Sequence, residues 1–353
     1  MTNMINVCFI TDTNYMIPTG VAVMSLIKNC DKNVICNIYI IAVDTDKNLS
    51  NKYNKLQTKN VRINVINTDN IYSNIKTTHQ HVSKAAMLKF NLPNMFKDLD
   101  KILYIDGDVL VLGNLIDLYN TDIDKKYAAV VVDMQAMCCE KQHHKKLGLK
   151  KYFNSGMMLL NLKKMREDNI TKKLLFVKKH DKLQHFMDQD ALNKCFNDNV
   201  VFVSMKYNCM LQNLDYPVKQ IAKFYKITSD EFNKIKDHPV ILHLTNKKKP
   251  WNSDDVPGYE LWNKYYKQYQ FKTNCINFLY KWFKRFLFRY EISKNGFYKM
   301  CVFGITIVNC KPKFIPDAIQ KGGFWFTQEY CPNGRIHIFV CGKKVFSYER
   351  LKK

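Results

Sequence analysis

The stretch 101–112 constrains the fold more than any other part of this sequence. It reads KILYIDGDVLVL, so two carboxylates, Asp106 and Asp108, interrupt an apolar run that predicts a buried strand. Buried carboxylates are costly unless hydrogen bonds, a cation or a metal compensates them. Two hard oxygen ligands at a strand end suit Mg²⁺ or Mn²⁺, and Gly107 between them leaves room for a ligand. Taken alone, the triplet favours a turn between two strands.

Short apolar strands alternate with helical patterns along the chain. Strands are predicted at residues 5–10, 37–43, 61–66, 127–132 and 239–244, and a turn leading into a strand at 152–162. Helices are predicted at residues 18–26, 49–56, 83–90 and 171–182 and from 185 onward. This alternation indicates an α/β fold with a mainly parallel sheet, in which ligands lie beyond the C-terminal ends of strands. The loop predicted from Thr11 and the Asp106/Asp108 pair both fall there.

Composition and charge narrow the class of protein. A chain of 353 residues, 46% hydrophobic, can form one large globular domain with an extension. Half of the net charge of +24 lies in residues 271–353, where 16 Lys and Arg face 4 Asp and Glu, a net +12. The partner is therefore expected to be anionic, either nucleic acid or a lipid surface or both. Twelve cysteines without a C-x-x-C motif predict reduced thiols in a cytoplasmic protein.

Five sequence features occur in an order and context that point to one family. They are the polar loop after the first strand, Asp-x-Asp at 106–108, Asn-x-Gly at 154–156, Asp-Gln-Asp at 188–190, and His243 followed by Lys-Pro-Trp at 249–251. In this order they resemble glycosyltransferase family 8, retaining transferases that use a nucleotide sugar, over roughly residues 5–265. The similarity is greatest to bacterial lipopolysaccharide and lipooligosaccharide galactosyl- and glucosyltransferases. It implies one GT-A type, Rossmann-like domain at 1–265 with a mixed, mainly parallel sheet, and a basic extension at 266–353.

The resemblance implies roles for individual residues at the donor. Contacts to uracil and ribose are implied for Thr11, Asp12, Asn14 and Tyr15. The metal ligands, for Mn²⁺ with Mg²⁺ as the alternative, would be Asp106, Asp108 and His243. Lys249 matches the lysine that contacts the diphosphate, and further donor contacts are expected from Lys89, Ile105, Gly107 and Asn246. Lys89 stands where the family often has arginine, and Asn246 where it commonly has glycine.

Four further residues match those that surround the transferred hexose: Asp133, Asn154, Asp188 and Gln189. The resemblance places Gln189 opposite the leaving group, where its amide oxygen could face the anomeric carbon. Each position also has an ordinary structural explanation. Asn154 could belong to a plain turn, Asp133 could close a strand, and Asp188 and Asp190 could be helix caps worth about 1 kcal/mol.

The basic extension contains a second pattern, at residues 275–290. Its apolar and cationic residues fall on different sides of a predicted helix, as in helices that lie on anionic lipid. A core helix packed on the catalytic domain stays equally open. Short strands are predicted at 301–310 and 324–348, with turns at Asn333-Gly334 and Cys341-Gly342.

The predicted function is a Mn²⁺-dependent retaining hexosyltransferase. It would move galactose or glucose from UDP-galactose or UDP-glucose to an oligosaccharide acceptor on a lipopolysaccharide or lipooligosaccharide core. We expect it in the cytoplasm, peripheral at the inner face of the cytoplasmic membrane, with an anionic membrane surface and no nucleic acid as partner. Two alternatives stay open: a metal-dependent phosphotransferase or phosphatase with an Asp-x-Asp site, and a basic membrane- or nucleic-acid-binding protein without catalysis. Leu110 stands where the phosphatase motif has Thr or Val.

Overall fold

The chain forms two compact units, Met1–Gln270 and Phe271–Lys353. The structure, a computed structural model, describes residues 3–45, 52–69, 84–138, 143–180 and 186–269, and seven strands between 289 and 349. The boundary expected after residue 265 falls inside a helix that ends at Gln268, so the first unit extends five residues further.

A seven-stranded sheet forms the centre of the first unit, in the order β3-β2-β1-β4-β7-β6-β8. Its strands are β1 (Met4–Asp12), β2 (Ile35–Val43), β3 (Val61–Thr68), β4 (Lys101–Ile105), β6 (Ala128–Val132), β7 (Phe153–Asn161) and β8 (Val200–Phe202). The first four run parallel, and β8 is parallel to β6. Only β7, between β4 and β6, is antiparallel to its neighbours in this sheet. The predicted α/β fold with a mixed, mainly parallel sheet is confirmed.

A small second sheet joins distant parts of the first unit. It consists of β5 (Val109–Val111), β10 (Ile241–His243) and β9 (Cys209–Met210), with β10 in the centre. β10 is antiparallel to β5, so that His243 lies opposite Val109, the residue after Asp108. All three β5 residues are buried, which is what their apolar side chains require. This pairing brings His243 to the Asp-x-Asp pair.

Helices cover the large sheet and connect its strands. The α-helices of the described residues are α1 (Met16–Asn29), α2 (Leu92–Met95), α3 (Ile116–Tyr119), α4 (Met134–Cys138), α5 (His143–Lys146), α6 (Leu162–Glu167), α7 (Ile170–His180), α8 (Met187–Phe196), α9 (Val218–Tyr225), α10 (Ser229–Asp237) and α11 (Tyr259–Gln268). Short 3₁₀ helices are found at Tyr53–Leu56, Lys84–Asn91, Met205–Tyr207 and Leu211–Asp215. The side chains that fill the core come from both faces of the central strands: Val7, Phe9 and Leu103 lie on one face, Cys8 and Ile102 lie on the other, and all five are fully buried.

Three elements predicted in the first 95 residues differ from the structure. β1 continues through Thr11 and Asp12, so the polar loop begins two residues later than expected. The helix expected at 49–56 is a 3₁₀ turn at Tyr53–Leu56, with residues 49–51 outside the described part. The helix expected at 83–90 is a 3₁₀ segment followed by α2. Pro93 lies in the first turn of α2, where a backbone N–H has no partner within the helix, so the missing N–H of proline costs no hydrogen bond.

The Asn154-Ser155-Gly156 segment lies inside β7, where the sequence predicted a turn. Its pairing with β6 is irregular: Val130 lies opposite Met158, whereas Val131 lies opposite Asn154. Ser155 and Gly156 therefore stand outside the regular β6–β7 ladder. Such irregularities re-aim side chains and are over-represented beside functional sites.

The described strands of the second unit form two antiparallel sheets. They are β11 (Arg289–Ile292), β12 (Tyr298–Val302) and β13 (Ile305–Cys310) in one sheet, and β14 (Ile319–Gly323), β15 (Phe326–Tyr330), β16 (Arg335–Val340) and β17 (Lys343–Glu349) in the other. The predicted helix at 275–290 lies outside the described residues except for its end, which belongs to β11. Both predicted turns also lie outside them. Among the described residues, no helix has the length and apolar character needed to span a membrane.

Candidate active site

Asp106, Asp108 and His243 form a cluster at the C-terminal end of β4. Each offers one ligand atom, and these three atoms lie within 4.8 Å of one another. His243 Nε2 is 3.2 Å from Asp108 Oδ1. Two carboxylates and one imidazole suit Mn²⁺, and oxygen ligands suit Mg²⁺. The residues therefore fit the divalent cation that the family resemblance implies.

Lys249 neutralises part of this cluster. Its Nζ donates to Asp108 Oδ2 at 2.8 Å and to the carbonyl oxygen of Leu244 at 2.5 Å. Burial raises the pKa of the Asp108 carboxyl, but Lys249 and His243 outweigh burial and hold that pKa well below its usual range. Asp108 is therefore an anion at neutral pH and is available as a ligand.

Lys89 bridges the cluster to a second carboxylate. Its Nζ lies 3.1 Å from Asp106 Oδ1 and 2.8 Å from Asp188 Oδ2. The side chain of Lys89 is only 2% exposed, and Tyr104 donates its hydroxyl to Asp106 Oδ1 at 2.5 Å. Burial lowers the pKa of Lys89, but Asp106 and Asp188 outweigh burial and raise that pKa above its usual range. Lys89 is thus a buried cation held between two anions.

Asp133, Asn154 and Gln189 form a polar group beyond Lys89. Asp133 Oδ2 accepts hydrogen bonds from the side-chain amides of Asn154 and Gln189, both at 3.3 Å. Ser155 N–H donates to Gln189 Oε1 at 2.9 Å, and Ser155 Oγ donates to Asp188 Oδ2 at 3.0 Å. Since a backbone N–H can only donate, Gln189 must present its oxygen to Ser155 and its NH₂ group to Asp133. Burial raises the pKa of Asp133, which the amide hydrogen bonds oppose.

The polar loop after β1 lies beside the carboxylate pair. Asp12 Oδ1 accepts from the backbone N–H groups of Asn14 and Tyr15 at 2.9 and 3.0 Å, which shapes the entry into α1. The Tyr15 ring packs edge-on against Trp251 with centroids 5.6 Å apart. Burial and the charges of Asp108 and Asp106 raise the pKa of Tyr15. Asn14 is exposed.

Four further residues with predicted donor contacts are buried or half-buried. The Thr11 side chain is 1% exposed and accepts from Thr19 Oγ1 at 3.1 Å. Ile105 is fully buried, so only its backbone could contact a ligand. The space that a Cβ on Gly107 would take is filled by Thr19 Oγ1, so this glycine is required for packing against α1. Asn246 is half-buried in the loop between β10 and Lys249.

Sequence reasoning missed several residues that hold the site together. Asn208 is fully buried. Its Oδ1 lies 2.9 Å from His243 Nδ1, and its NH₂ group donates to Asn154 Oδ1 at 2.9 Å. Asp190, expected as a cap, is fully buried and accepts hydrogen bonds from the Tyr152 hydroxyl and the Phe186 N–H. Tyr104 lies in the stretch 101–112 and Ser155 lies in the Asn-x-Gly motif. Their hydroxyl groups next to predicted site residues are the signal that could have identified them. Asn208 carries no sequence signal, because its role depends on β9 pairing with β10.

Together these residues make a buried site in which anions and cations alternate. Paired carboxylates with a lysine beside them can hold a cation and a phosphate, and the group formed by Asp133, Asn154, Asp188 and Gln189 offers hydrogen bonds to a polyhydroxylated ligand. The polar loop follows the C-terminal end of β1, Asp106 and Asp108 follow that of β4 and Asp133 follows that of β6, which is where open α/β sheets bind ligands.

Comparison with known proteins identifies the family. Residues 6–255 match the family model described as "Glycosyl transferase family 8". A "Putative glycosyltransferase" of Haemophilus influenzae is 30% identical over 210 residues, 58% of this chain and 62% of that protein. The "Lipopolysaccharide 1,2-glucosyltransferase" of Escherichia coli K12 is 30% identical over 258 residues, 70% of this chain and 73% of that protein. The crystal structure of galactosyltransferase LgtC, with donor and acceptor sugar analogs, shares the fold with a TM-score of 0.63 at 22% identity, covering 75% of this chain and 96% of that chain.

The chain therefore belongs to glycosyltransferase family 8 and is a glycosyltransferase. The GT-A type fold expected from the resemblance is confirmed by the structural similarity. Family membership decides against both alternatives that the sequence left open, the Asp-x-Asp phosphotransferase or phosphatase and the binding protein without catalysis.

Proposed function

We propose that the protein is a retaining, Mn²⁺-dependent hexosyltransferase that moves galactose or glucose from a UDP-sugar to a saccharide on a bacterial lipopolysaccharide or lipooligosaccharide core. The observation that carries the proposal is the cluster of Asp106, Asp108 and His243 with Lys249 on Asp108. The similarity to a lipopolysaccharide glucosyltransferase supports the acceptor class. Mg²⁺ is the alternative metal, since both cations accept carboxylate ligands.

The departing UDP sets the largest electrostatic demand of the reaction. When bound, a divalent cation would offset the negative charge on the diphosphate. Lys249, now 2.8 Å from Asp108 Oδ2, supplies a second positive charge at the same place. The side chains of Tyr15 and Trp251 pack together beside the carboxylates and offer an aromatic surface for the uracil ring.

The hexose would lie against the group formed by Asp133, Asn154, Asp188 and Gln189. Positive charge develops at the anomeric carbon as its bond to the phosphate oxygen breaks, and the carboxylate of Asp188 and the carbonyl oxygen of Gln189 stabilise it. Gln189 is an amide and a poor nucleophile, so we favour attack by the acceptor hydroxyl on the same face from which UDP leaves. The new glycosidic bond then keeps the anomeric configuration, and the hydroxyl proton passes to the leaving phosphate oxygen.

The basic extension supports a location at the membrane. The net charge of +12 on residues 271–353 favours an anionic lipid surface, where a glycolipid acceptor is presented. We propose that the protein works at the inner face of the cytoplasmic membrane as a peripheral enzyme, without nucleic acid as a partner.

Substitution of the carboxylates tests the metal site. Asp106→Asn and Asp108→Asn should each lower Mn²⁺-stimulated hydrolysis of UDP-galactose or UDP-glucose by about 10²-fold or more, because each removes an anionic ligand. The matched control is Asp100→Asn, whose carboxylate is 82% exposed on the surface and should leave the rate unchanged. Activity that survives both site substitutions would refute the assignment, and a screen of UDP-sugars in the wild type identifies the donor.

A further inference from the structure

A chain of hydrogen bonds runs from the irregular part of β7 to the imidazole of His243. The group at its β7 end determines which atoms donate and which accept along the whole chain. The backbone N–H of Gly156 can only donate, and it donates to Asn154 Oδ1 at 3.0 Å. The side-chain amide of Asn208 lies 2.9 Å from this same oxygen. Because the Asn154 atom is an acceptor, Asn208 must present its NH₂ group to it.

The orientation of Asn208 then sets the tautomer of His243. With its NH₂ group turned to Asn154, Asn208 places Oδ1 at 2.9 Å from His243 Nδ1. An amide oxygen only accepts, so Nδ1 must carry the hydrogen. Nε2 faces Asp108 Oδ1 in the metal cluster at 3.2 Å, so without a metal it can donate a hydrogen to that carboxylate. With Nδ1 protonated, loss of the Nε2 hydrogen leaves the lone pair on Nε2, directed into the metal cluster.

The imidazole is also held from its Nδ1–Cε1 edge. A Cβ on Gly156 would overlap His243 Cε1 and lie 2.9 Å from Nδ1, so the glycine lets β7 pack directly against the ring. The carbonyl oxygen of Gly156 accepts from Asp106 N–H at 2.8 Å, which ties the same residue to another metal ligand. Asn208 itself is fully buried beside β10, with the next residue, Cys209, opposite Leu242.

We propose that Asn208 is a positioning residue: it holds His243 in the Nδ1–H tautomer with Nε2 directed into the metal site and thereby raises the affinity for the divalent cation. Outer partners of metal-bound histidines typically contribute 10- to 100-fold in affinity. The effect on affinity rests on the proposed function. The hydrogen on Nδ1 does not depend on a bound metal, so it can be tested separately.

The experiment compares three variants of the full chain. Asn208→Leu removes both hydrogen bonds at similar size, and Asn208→Asp keeps an acceptor opposite Nδ1. The matched control is Asn213→Leu, because Asn213 is also fully buried but donates to the Tyr225 hydroxyl, away from His243. Nitrogen NMR of ¹⁵N-histidine-labelled, metal-free protein reports whether Nδ1 of His243 carries a hydrogen. The signals of His243 among the nine histidines are identified by their loss in His243→Asn. Electron paramagnetic resonance titration with Mn²⁺ gives the affinity.

The wild type and Asn213→Leu should keep a hydrogen on Nδ1 of His243 and have Mn²⁺ affinities within a few-fold of one another. Asn208→Asp should also keep that hydrogen. Asn208→Leu should show a mixture of tautomers and a 10- to 100-fold weaker affinity. An unchanged tautomer in Asn208→Leu would overturn the proposal, and so would an equal loss of affinity in Asn213→Leu. If the wild type binds no Mn²⁺, the metal dependence in the proposed function fails, whereas the tautomer comparison still decides the role of Asn208.

Discussion

Lys89 shows how a single side chain can link two parts of this site. The family often has an arginine here, a planar fork with several donors, whereas a lysine is a compact point charge. In this chain the ammonium group lies between Asp106 and Asp188 and 4.8 Å from the centre of the Tyr104 ring. A buried charge of this kind is tolerated because two carboxylates compensate it.

We expect Lys89→Met to lower the free energy of unfolding by about 3–5 kcal/mol, because it leaves two carboxylates without their buried cation. Urea unfolding followed by circular dichroism measures the change. Lys101→Met is the matched control, since Lys101 also lies 4.8 Å over a tyrosine ring but donates to the backbone oxygen of Tyr119. Its expected loss is about 1 kcal/mol. Equal losses in the two variants would contradict the ion-pair explanation.

At the scale of elements, the site depends on where strands end and how closely helices approach them. α1 follows the loop after β1, and Gly20 on this helix faces the ring of Tyr269, directly after α11. A Cβ at position 20 would overlap that ring. The missing side chain therefore lets α11, near the end of the first unit, pack against α1. The two helices come from opposite ends of this unit.

Gly20→Ala should therefore destabilise the protein by about 1–3 kcal/mol through overpacking, although alanine favours helices. In a Tyr269→Ala background the ring is gone, and Gly20→Ala should instead stabilise the protein by about 1 kcal/mol, because alanine favours a helix over glycine. Thermal or urea unfolding of the four proteins completes this double-mutant cycle. A destabilisation by Gly20→Ala that is the same in both backgrounds would show that the ring is not responsible.

At the scale of the whole molecule, the two units differ in net charge per residue and in which of them contains the candidate site. The residues of the candidate site all belong to Met1–Gln270, whereas Phe271–Lys353 carries half of the net charge, +12, on only 83 of the 353 residues. This division suggests that one unit carries catalysis and the other carries attraction to an anionic surface.

A chain that ends at Gln270 should keep Mn²⁺-dependent UDP-sugar hydrolysis but lose binding to vesicles that contain anionic lipid. The full chain should bind these vesicles at low salt, release them as ionic strength rises, and ignore neutral vesicles, because the attraction is electrostatic. Co-sedimentation measures the binding. Equally strong vesicle binding by the shortened chain would contradict the role of the extension.

The sequence by itself determined the fold class, the place of the Asp-x-Asp pair after the fourth strand and, through the order of its motifs, the family. Local periodicity and motif order carry this information, since both are written along the chain. Tertiary structure decided what depends on contacts between distant segments. Examples are the pairing of β5 with β10 that brings His243 to Asp108, the Lys89 bridge, the irregular pairing of Asn154 inside β7, and Asn208 on the imidazole. No local pattern specifies these contacts, because strand register and buried hydrogen bonds are set by packing between residues far apart in sequence.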